Sequence, residues 1–101
     1  MPELLTHPTF SEQLNTKFRI RFSESQIIEV ELVEVSELKL SRVQERFSIL
    51  FRAPVDALFR QGLFGMEHEQ MGAFELFLVP VFKEKDGIYY EAVFNRLLER
   101  D

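Results

Sequence analysis

The chain has no cysteine and no tryptophan, and only four glycines and four prolines among its 101 residues. Each absence removes a class of protein. Without cysteine there is no disulfide framework and no thiol chemistry, and the redox state of the compartment is left open. No apolar run approaches the ~20 residues of a membrane span. The opening Met1-Pro2-Glu3-Leu4-Leu5-Thr6-His7-Pro8 has neither a basic stretch nor a long apolar centre, so it does not read as a signal peptide. Basic residues are outnumbered, 12 against 17, and the net charge of -5 repels a phosphate backbone and offers no counterion release. Nucleic acid and membrane are therefore not expected partners, and the chain reads as a soluble, cytoplasmic protein.

The residues that are present describe one compact unit. At 46% hydrophobic and 29% charged, with no repeat or Gly/Ser linker, residues 1–101 read as a single domain. A domain of this size buries roughly two thirds of its unfolded surface. Eleven phenylalanines supply an aromatic core. Near the start, Thr6 or Ser11 can cap a helical turn, Pro8 suits its first turn, and Phe10 and Leu14 share a face, which predicts a short helix over about 7–14.

The period then changes from helical to two. Phe18, Ile20 and Phe22 alternate with Lys17, Arg19 and Arg21, and Ile28, Val30 and Leu32 alternate with Glu29 and Glu31. These runs predict strands over about 17–22 and 27–37, joined through Ser23 to Gln26. Arg19 and Arg21 are expected to face Glu29 and Glu31. The apolar phase slips after Leu32 to Val33 and Val35, which predicts a β-bulge at 32–34. Phe47, Ile49 and Phe51 mark a strand over about 46–52, ended by Pro54, and 54–61 has room for one helical turn. Strands over about 63–68, 73–82 and 88–95 follow. Gln70-Met71-Gly72 and Lys85-Asp86-Gly87 each fit a three-residue loop whose glycine takes a positive φ. Those loops align Phe64, Met66 and His68 with Leu78, Leu76 and Phe74, and Phe82, Pro80 and Leu78 with Tyr90, Ala92 and Phe94, all on one face. They also set Glu67 against Glu75, an unfavourable pair of like charges. The fold class expected is all-β: a six-stranded antiparallel meander forming a small barrel or compact sandwich, with the short helix over one opening or face.

The other face of the last strands carries Leu63, Phe77, Val79, Val81 and Val93. Leaving five such side chains wet would forgo on the order of 10 kcal/mol, so a cover is expected. The Phe10/Leu14 helix, the Val55/Leu58/Phe59 segment and a second protein chain are the three candidates. The helix is the first choice. In the third case the five residues form an interface with another protein or with a second copy.

Chemistry is where the sequence is sparse. His7 and His68 have no second ligand at a metal-binding spacing, no G-x-S-x-G element is present, and the glycines form neither a phosphate loop nor a dinucleotide fingerprint. Glu75 and Glu91 share a face but are offset along their strands, which does not suit paired acid–base work. No catalytic residue, metal or cofactor is assigned, and the chain does not read as an enzyme. A non-enzymatic interaction or accessory module is the leading reading. A small-ligand-binding barrel with an aromatic interior is the alternative.

Phe47-Ser48-Ile49-Leu50-Phe51-Arg52-Ala53-Pro54, Gln61-Gly62-Leu63-Phe64-Gly65-Met66-Glu67-His68, Gly72 with Leu76-Phe77-Leu78-Val79-Pro80-Val81, and Tyr90-Glu91-Ala92-Val93-Phe94-Asn95 carry a resemblance. Over 47–95, with a looser match around Phe10 and Phe18, the chain is similar to a bacterial family of proteins of about this length, classed as a domain of unknown function. The resemblance implies a small stand-alone β-domain encoded near phage-tail-collar-like proteins, and hence a tail- or fibre-accessory role. It supplies no catalytic or binding residues.

Overall fold

A computed structural model describes residues 5–57 and 59–98. The helix α1 (His7–Glu12) is followed by the strands β1 (Lys17–Arg21), β2 (Ile27–Val35), β3 (Lys39–Leu40), β4 (Gln44–Ala53), β5 (Gly62–His68), β6 (Gly72–Glu84) and β7 (Gly87–Leu97). All the strands lie in one antiparallel sheet, ordered β2-β1-β5-β6-β7-β4-β3 and closed by pairing of β2 with β4. The result is a six-stranded barrel, with the two-residue β3 as an extra rung on β4. No helix among the described residues is long and apolar enough to cross a membrane.

The connectivity departs from a simple meander at one place. β1-β2-β4 and β5-β6-β7 are two three-stranded meanders, and the barrel closes where β4 meets β7 and β1 meets β5. Residues 54–61 must therefore cross from one half to the other. Pro54 forces this exit by ending β4, and the segment makes a single turn in which the Ala57 amide donates to the Pro54 carbonyl. Because β1 and β4 both run antiparallel to β2, this crossover and α1 sit at opposite ends of the barrel.

Inward-facing residues alternate along each strand and fill the interior. Phe18, Ile20, Val30, Leu32, Phe47, Ile49, Phe51, Phe64, Met66, Leu76, Leu78, Tyr90 and Ala92 are all buried. At the crossover end Phe22 packs edge-on to Phe64 at 4.8 Å and near Tyr90 at 6.0 Å. At the other end α1 is capped by Thr6, whose hydroxyl accepts from the Thr9 amide, and it delivers Phe10 into the barrel. The Phe10 ring lies 6.4 Å from Phe47, 6.2 Å from Phe74 and 5.4 Å from Phe94. The β6–β7 ladder runs only from Glu84/Gly87 to Val79/Glu91, and Phe10 fills the space between the two strands below it.

Several registers differ from expectation. β1 pairs Lys17 with Glu31 and Arg19 with Glu29, while Arg21 lies opposite Ile27. The predicted bulge is present between Leu32 and Glu34. In the β5–β6 hairpin Gly72 has φ +80° but is itself the first paired residue, opposite His68, so β6 sits two residues from the expected alignment. An even shift keeps every side chain on its expected face. It also removes the like-charge clash, since Glu67 now faces Ala73 and Glu75 faces Gly65. A second bulge between Pro80 and Phe82 sends Phe82 outward, where it stacks on Tyr89 at 4.4 Å instead of entering the core.

Candidate functional site

The alternation that fills the barrel places Leu63, Phe77 and Val93 outside it. Leu63 lies directly opposite Phe77 across β5 and β6, and Val79 lies opposite Glu91 across β6 and β7. Leu63 is 62% exposed, Phe77 53%, Val81 42% and Val93 61%, while Val79 is half-buried. Neither cover available within the chain closes over this face. The helix is drawn to the open end instead, because burying Phe10 completely among three other rings gains more than laying it across a sheet surface. Leu14 falls beyond α1 and is 39% exposed. In the crossover Val55 and Phe59 are themselves exposed, and Leu58 lies outside the described residues.

Charged residues border the apolar face on both sides. Glu67 takes Arg19 at 3.3 Å and Arg21 at 3.6 Å, so these arginines pair β1 with β5 and not, as alternation predicts, with the glutamates of β2. Glu31 of β2 instead receives Arg52 of β4 at 2.6 Å and Lys17 at 3.8 Å. Arg52 also stands near Asp86, which accepts from the Tyr89 hydroxyl at 2.7 Å. The neighbouring Tyr89 hydroxyl is the main reason the Arg52 guanidinium is raised above its ordinary value. These pairs tie neighbouring strands together at the surface, each contributing little on its own.

Both histidines are engaged in structure. His7 donates through Nε2 to the Ser36 carbonyl at 2.8 Å and stands edge-on to Phe47. His68 is buried; its Nδ1 accepts from the Gln70 and Met71 amides at 3.0 and 3.2 Å, and its Nε2 lies 2.9 Å from the Thr16 hydroxyl, which donates to the Gln13 carbonyl at 2.6 Å. The ring is thus neutral, with its one proton on Nε2. Among the described residues no three His, Asp or Glu side chains converge as a metal site would require. Glu75 and Glu91 both face outward from adjacent strands, four residues apart in register along β6.

The match to a family model spans residues 5–94, from the turn before α1 to Phe94 beside the Phe10 ring. The chain belongs to the domain of unknown function DUF6916. That span takes in α1, the whole barrel except the end of β7, and all five outer-face residues. No curated protein and no solved structure matches the chain.

Proposed function

We propose that this chain is a non-enzymatic interaction module that binds another protein through the outer face of β5, β6 and β7. The observation that carries this reading is the contrast between a filled interior and the exposed apolar side chains Leu63, Phe77, Val81 and Val93 on the outer face, with Leu63 and Phe77 directly opposite each other. Exposed patches of this kind mark association sites on small soluble proteins. The interior that could have held a small ligand is occupied by the chain's own phenylalanines, which favours the outer face over the interior as the binding surface. Both histidines are committed to packing and hydrogen bonds within the fold, which favours a binding module over an enzyme. We place the protein in the cytoplasm of a bacterium. Its setting beside phage-tail-like or fibre proteins, as an accessory to them, rests on the family resemblance. A photo-crosslinking residue at Phe77 or Val93, introduced in the native host, should give discrete adducts, and one at the exposed Glu29 of β2, across the barrel from β6, should not. Equal labelling from all three positions, or from none, would sink the reading.

A further inference from the structure

The strand register sets three rows on the outer face of β5 and β6. Leu63 lies opposite Phe77, Gly65 opposite Glu75, and Glu67 opposite Ala73. β1 extends two of them, with Arg21 beside Gly65 and Arg19 beside Glu67. The middle row is therefore Arg21, Gly65, Glu75, with no side chain over its centre. Gly65 and Ala73 floor an open groove of about 330 Å³ between Arg21 and Glu75, one row from the Leu63/Phe77 ridge.

Two features of this groove serve nothing within the chain. Gly65 does not take a left-handed conformation, and a Cβ there would meet only the Arg21 Cβ at 3.9 Å, an ordinary contact. A larger residue with better strand propensity would fit, so the fold does not require glycine here. Glu75 is exposed, and its carboxylate has no hydrogen-bond or ion-pair partner among the described residues, whereas Glu67 one row away takes both Arg19 and Arg21.

We infer that this face pairs with the same face of a second copy, about a two-fold axis lying in the interface and running along the strands between β5 and β6. The inference rests on the outer face being a binding surface and names its occupant. Rotation about that axis keeps each row in place and exchanges β5 with β6. Leu63 of each copy then meets Phe77 of the other. Glu75 of each enters the gap above Gly65 of the other, where Arg21 stands one strand away, at a spacing of about 4.8 Å. The unpartnered carboxylate, the side-chain-free gap and the cation beside it are thus parts of one contact made twice. Each face supplies both the ridge and the gap, so the surface is complementary to itself.

The test is the molar mass of the purified chain by light scattering over a wide concentration range. The wild type should approach twice the monomer mass. Glu75→Arg and Arg21→Glu should each weaken the dimer by about tenfold or more, because each places like charges in both contacts. Mixing the two variants in equal amounts should restore it, since every contact then holds one glutamate and one arginine. Gly65→Thr should fill the gap and weaken the dimer by roughly tenfold while leaving the melting temperature unchanged or higher. A wild type that is monomeric at every concentration overturns the inference, as does a dimer indifferent to both charge reversals. If the purified chain is monomeric and the Phe77 crosslinker captures a different protein, self-pairing fails and the binding surface stands. If the crosslinker captures nothing, both fail.

Discussion

At His68 both ring nitrogens are committed, so a second ring proton would have to point at the amides of Gln70 and Met71, which donate toward the same atom. Burial is the main cause that lowers this imidazole below its ordinary 6.5; Glu69 opposes the shift and Arg19 adds to it. The unfolded chain therefore binds a proton at a pH where the folded chain does not, and stability is complete above 6.5 and falls as pH drops below it. Urea midpoints measured at descending pH should decline from that point, and His68→Gln should flatten the decline before carboxylates begin to titrate. Tyr90 presents the opposite case. Its ring is fully buried, and its hydroxyl has no partner among the described residues. Tyr90→Phe should thus be neutral or stabilising by about 1 kcal/mol in chemical denaturation, and a loss of more than that would reveal a partner for the hydroxyl. Neither role could be read from sequence. His68 is visible there as a strand-end histidine, but its acceptor pair depends on how the chain turns after it, and Tyr90 differs from its exposed-looking neighbours only through strand phase.

At the level of elements, alternation carried most of the information. The faces of β1, β2, β4, β5 and the first part of β6 follow from period two, and the slip of phase at Leu32 marked the bulge. Registers were less accessible, because Gly72 belongs to the ladder instead of the loop and because the bulge at Val81 leaves no mark in an all-apolar run. The two hairpin glycines also differ in kind. Gly72 has φ +80° with open space around it, so Gly72→Val carries only conformational strain, about 1 kcal/mol. Gly87 has φ +152°, and a Cβ there would overlap the Ala53 carbonyl oxygen on β4. Gly87→Val should therefore be several-fold more damaging, and equal melting temperatures for the two variants would contradict the close approach of β7 to β4. The helix begins at the expected His7 but ends at Glu12 instead of about 14, and of the opening and the face expected for it, it takes the opening: Phe10→Ala should cost roughly 3–5 kcal/mol, the loss expected of a buried ring and not of one on a sheet surface.

For the molecule as a whole, the barrel class was legible and its connectivity was not, since nothing in residues 54–61 states which strand comes next to β4. The outer face was legible as apolar, and its exposure followed only once α1 was seen to enter the barrel. Replacing Phe77 and Val93 together by serine should leave the melting temperature nearly unchanged while abolishing association, which separates surface from core in one variant. The crossover has a further consequence, for the order of events in folding. β4 and β7 form the longest ladder of the barrel, Gln44–Ala53 against Ile88–Leu97, and β1 meets β5 only after the chain has passed through 54–61. A chain emerging from the ribosome thus carries β1, β2 and β4 as a half-sheet with two bare edges until the second meander has been made. The pairings that join its two halves, β1 with β5 and β4 with β7, are of the non-local kind that slows folding into the millisecond-to-second range. Until then its phenylalanines are open to other chains as well as to each other.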